Sequence, residues 1–397
     1  MTTHRIVLGT LLLTLFLDYF NLGLVYPLFS ALIFESDLAF SEGVKNVLYG
    51  ALIAAFPLGQ FFGAPVIGAM SDHYGRRRLL IFSLVGTVFT LLLCGLAVQL
   101  HSFFLLILGR LLGGLMAGNM TLAFAALAET NSPEEKVRNF ALVPFAASIG
   151  FACGPFVASL FSEVSAGPFF LAAVFSLSNL GIVFWAFPPS ILPQTKQVVT
   201  VFSGLRLLTH VIRPHPLRRY FWVLFLAVSS NYLFVQYMGP FAIEKLAANV
   251  RGVGYLYTNL GIGAALGNLI LTRHLAKYFS VEKALKWGLI ALIILPAVLP
   301  IFDKIAWVHI LAFITMLAYA VGYTNSMALV SNRGEKQGET MGVCVSLQCC
   351  AEFLPALVVS FATIYSMSFS MLAAALFAAA SLALLLVRER VDAAAKV

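Results

Sequence analysis

Three charged side chains stand where charge is costly. Asp18, Arg110 and Glu352 each lie inside a run of about twenty or more apolar residues. An ionised group at bilayer depth must pair, face water or be neutralised by a proton. Carboxyls so placed suit the taking up and release of protons, which makes Asp18 and Glu352 candidates for proton coupling. Arg110 is the candidate counter-charge, with Asp18 its expected partner; a structural pair holding two helices together is the alternative. For Glu352 the alternative is a neutral acid hydrogen-bonded across helices. Uncharged polar residues share these runs. Asn21, Gln60, Asn119, Asn231 and Tyr232 are five of them. Gln236, Asn259, Tyr323, Asn325 and Gln348 are the other five. Singly, each reads most simply as an interhelical hydrogen bond; as a group they predict an amphiphilic cavity.

Enzyme chemistry has no foothold here. There is no nucleophile–base constellation and no G-x-x-x-x-G-K-[ST] run for a nucleotide phosphate. The five cysteines, Cys94, Cys153, Cys344, Cys349 and Cys350, fall inside apolar runs without metal-ligand spacing and read as packing residues. No metal and no cofactor is expected.

The elements that must position these groups are transmembrane helices. Hydrophobic residues make up 60% of the 397-residue chain and charged residues 11%, against nearer half and a quarter in soluble domains. With a span needing about 20 apolar residues, the chain divides into twelve: 6–33, 47–70, 79–98, 103–128, 139–161, 167–188, 220–242, 252–275, 284–302, 306–330, 340–364 and 367–387. The first run is too long for the apolar core of a signal peptide and is expected to stay as a helix. If the N-terminus is cytoplasmic, only Lys45, Lys245, Arg251 and Lys304 of the 25 Lys and Arg lie outside, and Arg110 lies in a span. That bias sets both termini inside. It also explains the net charge of +8 without nucleic acid. The polar stretch from Pro188 to Arg219 predicts a border between residues 1–188 and 220–397, with 189–219 a cytoplasmic linker whose segment Val201–Ile212 could lie in the interface as an amphipathic helix.

Local motifs carry a family resemblance. Gly68-Ala69-Met70-Ser71-Asp72-His73-Tyr74-Gly75-Arg76-Arg77-Arg78 is a charged turn between apolar runs. It resembles the loop between the second and third helices of major facilitator superfamily transporters. Gly109-Arg110-Leu111-Leu112-Gly113-Gly114 resembles that family's R-x-x-x-G pattern in helix four, and Asp18 its helix-one aspartate. Gly150-Phe151-Ala152-Cys153-Gly154-Pro155 resembles the G-x-x-x-G-P signature of the drug:proton antiporter branch. The pattern departs at Ala141 and at Ala158-Ser159. The resemblance implies that Gly68, Asp72, Gly75 and Arg76 latch the two halves on the cytoplasmic side. Asp72 is expected near the start of helix three, where the helix dipole favours a carboxylate. In the second half, Ser280 stands where Asp72 would align, and that copy is expected to lack the latch. Ser132-Pro133-Glu134-Glu135 reads as a capping box opening helix five.

The halves repeat weakly. Asp18-Tyr19 matches Asn231-Tyr232, Gly59-Gln60 matches Gly267-Asn268, and Glu135-Lys136 matches Glu335-Lys336, in the same order. Glu352 aligns with Ala152, so its carboxyl belongs to the second half only. The expected architecture is therefore an all-α integral membrane protein, twelve helices in two pseudo-symmetric six-helix bundles. The expected function is secondary active transport by alternating access: export of a small amphiphilic compound against protons, as a monomer. The expected location is a bacterial inner membrane. A proton-coupled importer of a nutrient or siderophore is the alternative, and a non-transporting membrane receptor or enzyme is the reading from another class.

Overall fold

The computed structural model describes residues 2–35, 40–119, 122–123, 133–161, 165–188, 211, 216–333 and 337–394. Among them every regular element is helical. Twelve helices follow in order. The first six are α1 Thr2–Phe34, α2 Glu42–Tyr74, α3 Arg76–Gln99, α4 Phe103–Leu115, α5 Pro133–Ser159 and α6 Gly167–Ala186. The next six are α7 Arg218–Leu246, α8 Val250–Leu266, α9 Val281–Val298, α10 Ile305–Ser331, α11 Gln337–Ala362 and α12 Ser368–Ala394. Each predicted span overlaps one of them, and ten are long and apolar enough to cross a membrane. A bilayer admits this architecture because a helix satisfies all its backbone groups internally.

Two spans are interrupted. The expected helix over 103–128 stops at Leu115; Met116–Gly118 is non-helical, and helix resumes at Asn119. The span over 252–275 is α8 followed by a π turn, Gly267–Leu271, and a last α turn, Thr272–Leu275. The Gly267 carbonyl accepts twice from Thr272, from its backbone N–H in the π pattern and from its hydroxyl at 2.9 Å.

A single residue separates α2 from α3. Gly75 has φ 90° and ψ 147°, a conformation that side chains other than glycine's resist. α2 runs to Tyr74, so Asp72 lies in its last turn and not in the first turn of α3 as expected. The apolar run ends at Met70, but hydrogen bonding carries the helix four residues past it. The arginines of this turn brace helix ends: Arg76 donates to the Ser71 hydroxyl, while Arg77 donates to the Phe184 carbonyl near the end of α6 and lies over the Phe184 ring. The Asp72 side chain lies outside the described residues, as do Ser132, the side chains of Glu134 and Glu135, and nearly all of the linker with Val201–His210 and Ile212.

Packing separates two compact units. The first comprises Met1–Leu32, Ala51–Ser203 and Val250–Thr258; the second comprises Ile33–Gly50, Gly204–Asn249 and Asn259–Val397. In the first, Val7, Leu11 and Leu15 recur every fourth residue on α1 and bury against Leu79 and Leu84 of α3 and Val183 of α6. In the second, Phe221, Leu224 and Val228 of α7 meet Leu285 and Leu289 of α9 and Leu347 of α11. Lipid tails are as apolar as leucine, so close packing and interhelical hydrogen bonds hold such contacts together. For the same reason Trp185 (86% exposed) and Val358 (70%) stand on the outer surface without penalty in a bilayer.

Candidate functional site

Asp18 sits mid-way along α1, half-buried, and accepts a hydrogen bond from the Asn119 amide nitrogen at 3.1 Å. Helix geometry places its neighbours. At 100° per residue, Thr14 and Asn21 lie on an adjoining face, one turn to either side of Asp18. Both engage α6: Asn179 donates to the Thr14 hydroxyl at 3.0 Å, and Asn21 donates to the Ser176 hydroxyl at 3.2 Å. The opposite face of α1 lies on α5. A Cβ added at Gly154 would stand 2.7 Å from the Leu24 nitrogen and closer still to the Phe20 carbonyl oxygen; one added at Gly150 would crowd Phe16. Gly150 and Gly154 are thus the small residues that let the two backbones touch. Gly23 on α1 faces Pro155 in the same seam. The antiporter-like motif therefore fixes, from behind, the turn that carries Asp18.

Asp18 and Arg110 are not brought together. Arg110 is 8% exposed and lies over the Phe56 ring at 4.5 Å and the Phe29 ring at 5.7 Å. Register explains this. α1 and α4 run antiparallel, with Asp18 level with Asn119 and Phe29 level with Arg110. Eleven residues part Asp18 from Phe29 along the unbroken α1, which is about 16 Å of helix. The expected pairing of these two charges is replaced by an aspartate–asparagine contact and an arginine held between aromatic faces.

The break in α4 lies beside this contact. Carbonyls freed at Met116 and Ala117 are met by side chains: the Ser83 hydroxyl donates to Met116, and the Gln60 amide donates to Ala117 at 3.5 Å. Irregular backbone at membrane depth needs such partners. Gly113, Gly114 and Gly118, clustered around the break, are the sequence signal for it.

The second unit holds Glu352, which is 6% exposed on α11. The Gln236 amide of α7 donates to the Glu352 carbonyl at 3.0 Å, and the Tyr49 hydroxyl donates to the Gln236 carbonyl. One turn along α11, the Tyr237 hydroxyl donates to the Ala356 carbonyl at 2.8 Å, with Tyr49 edge-on to Tyr237. Tyr49 was not singled out as a site residue in the sequence. A second cluster joins α10 to α11: Gln348 donates to the Tyr323 hydroxyl, and Tyr323 stacks on Tyr319 at 5.6 Å. Of the remaining polar candidates, Asn259 donates to the His309 carbonyl at 2.7 Å and Asn325 to Val321 of its own helix at 2.8 Å. Asn231 is buried in α7, and Tyr232 packs partly buried against the apolar cluster of the second unit.

Where the chain turns between α8 and α9, Ser280 caps α9 by accepting from the Lys283 backbone at 3.4 Å. Nearby, Arg333 at the end of α10 pairs with Glu282 at 2.6 Å and lies 4.5 Å over the Tyr220 ring. These contacts brace α7, α9 and α10 within one unit. Among the described residues no cluster of three His, Cys, Asp or Glu side chains could hold a metal ion.

Comparison with known proteins adds the lineage. A family model described as Major Facilitator Superfamily matches residues 11–354. Tetracycline resistance protein, class C, of Escherichia coli is 26% identical over 386 residues, covering 92% of this chain and 90% of that protein. Major facilitator superfamily domain-containing protein 10 of Mus musculus is 32% identical over 214 residues, which is 54% of this chain. The matched stretch spans 43% of the mouse protein. Among solved structures, the human organic anion transporter MFSD10 (TETRAN) superposes with a TM-score of 0.71 at 22% identity, covering 96% of this chain and 99% of the other.

Proposed function

Since the chain belongs to the major facilitator superfamily and is a multi-pass membrane transporter, we propose that it exports a small amphiphilic compound in exchange for protons by alternating access. The observation that carries this reading is the setting of Asp18. Its carboxylate lies at mid-span, half-buried, and accepts from Asn119. The turn bearing it rests on the Gly150–Gly154 seam of the antiporter-like motif. A carboxyl in that position changes charge by gaining or losing one proton. Protonation from outside releases substrate there; proton loss inside readies the transporter again. The tetracycline resistance relative supports export over import. Glu352 is the second proton candidate, and Arg110 stiffens α1, α2 and α4 where they meet. The excess of cations in alternate loops supports cytoplasmic termini in a bacterial inner membrane.

The driving force is adequate. One proton moving down about 100 mV yields about 2.3 kcal/mol, and one pH unit adds about 1.4 kcal/mol. Together these sustain a gradient of a few hundredfold for a neutral substrate. The test is uphill transport of a panel of amphiphiles in inverted vesicles, with proton flux followed in parallel. Asp18→Asn keeps the shape and removes the titrating group. It should abolish accumulation against a gradient and leave downhill movement and folding intact. Wild-type accumulation in this variant would reject the assignment of Asp18.

A further inference from the structure

We infer that Asp18, Asn21 and Asn119 form a binding site for one dehydrated monovalent cation, for which Na+ is the probe. Two independent observations carry this. The first is a pair of stranded oxygens. Asn21 is 8% exposed and Asn119 2%. Each spends its amide nitrogen on a neighbour, Asn21 on Ser176 and Asn119 on Asp18. The amide oxygen of each then has no hydrogen-bond partner among the described residues. Buried oxygens in that condition are uncommon and point to water or an ion that belongs there. The Asn119 oxygen is tied to the site by its own amide, whose nitrogen touches the Asp18 carboxylate. Asn21 stands one turn along α1 on the adjoining face.

The second observation is the interruption of the helix that supplies Asn119. α4 ends at Leu115, and Met116–Gly118 is non-helical immediately before Asn119. In membrane transporters, coupling ions are commonly held at interrupted helices near mid-bilayer, where irregular backbone is buried in protein or lines a cavity.

The donor set selects the ion. It offers the Asp18 carboxylate and two amide oxygens, with neither imidazole nor thiolate in it. All-oxygen sites suit hard cations and not zinc or copper. One carboxylate balances one positive charge, whereas divalent sites draw on more carboxylates. No cation is paired with Asp18 among the described residues: Arg110 lies level with Phe29, and α6 carries no charged residue. Thr14 is excluded, since its hydroxyl is engaged by Asn179 and by the Thr10 carbonyl.

This site does not require proton exchange, so it is tested by binding alone at one fixed pH, without substrate or gradient. The purified full-length protein is titrated with NaCl against choline chloride at constant ionic strength. Thermal unfolding and equilibrium binding of radioactive Na+ are the two readings. Wild type should show saturable stabilisation by Na+ and none by choline. Asn21→Ala and Asn119→Ala should each weaken Na+ binding by about tenfold or more. Asn179→Ala, which loosens the same α1–α6 seam outside the oxygen cluster, should bind Na+ as wild type does. Equal responses to Na+ and choline in the wild-type protein would overturn the site, whatever the variants do. So would wild-type Na+ affinity in both Asn21→Ala and Asn119→Ala.

Discussion

Substituting Gly154 by alanine puts the α1–α5 seam under a measurable strain. The new Cβ would sit 2.7 Å from the Leu24 nitrogen, where ordinary contact is about 3.5 Å. The two backbones must therefore part by about 0.8 Å, and by more where the Phe20 carbonyl faces the new methyl. Overpacking of this kind costs about 1–3 kcal/mol. Alanine recovers about 0.5–1 kcal/mol of helix propensity, so a net loss of about 0.5–2 kcal/mol remains. Transport should suffer more than stability. Because α5 lies behind Asp18, a shift of 0.8 Å in α1 drives Asp18 against Asn119 and distorts the 3.1 Å bond between them. Misplacement by about 1 Å at a reacting group costs on the order of a hundredfold. Gly154→Ala should thus lower the unfolding temperature modestly and reduce uphill efflux by tenfold to a hundredfold, on the same scale of argument. Gly150→Ala should behave alike, and the double variant should cost less than the sum, because one displacement of α1 relieves both contacts. Gly9→Ala and Gly181→Ala are the controls, since a Cβ at either meets nothing within 4 Å. The reasoning fails if Gly154→Ala transports as wild type does, or if the controls are equally damaging.

Three further outcomes are expected. Gly75→Ala forces a side chain to adopt φ 90°; it should destabilise by about 1–3 kcal/mol, read as a fall in unfolding temperature, and an unchanged value would remove the conformational role of Gly75. Arg333→Gln loses the Glu282 pair and the Tyr220 face, but both ionic side chains are about a third exposed; the cost should stay near 1 kcal/mol or below and shrink in high salt, whereas a salt-independent loss would point to another cause. Arg110→Lys keeps the charge and gives up the planar stacking on Phe56 and Phe29; a loss of about 1–2 kcal/mol in thermal or denaturant unfolding is expected, and a lysine variant as stable as wild type would deny the rings a share.

What was readable in the chain was whatever depends on one helix at a time. Hydropathy located a helix in each of the twelve spans, because the requirement that lipid imposes on backbone groups is local. Register between helices is not local. Asp18 and Arg110 sit in neighbouring spans with complementary charge, yet the axial offset of α1 against α4 sets them apart and gives Asp18 to Asn119. No periodicity within either span reports that offset. The interruption of α4 escaped for a related reason: residues through Met120 are apolar enough to continue a helix, and glycines are common in spans that remain whole. Of the polar candidates, Asn21, Asn119, Gln236, Asn259 and Gln348 bond to a neighbouring helix, and Gln60 to the break after α4.

The π turn at Gly267–Leu271 resets the correspondence between the halves. Such a turn holds one residue more than the α turn it replaces, so a pairing of the two halves shifts phase there. Gly59 still matches Gly267, but past Leu271 each position slips by one. Ser280 then answers to Ser71 and no longer to Asp72. Both serines sit at a helix junction and accept a hydrogen bond from the start of the next helix, Ser71 from Arg76 and Ser280 from Lys283. The two turns thus share one device, a serine that holds the start of the next helix, and a one-residue offset at the π turn brings the two serines into correspondence.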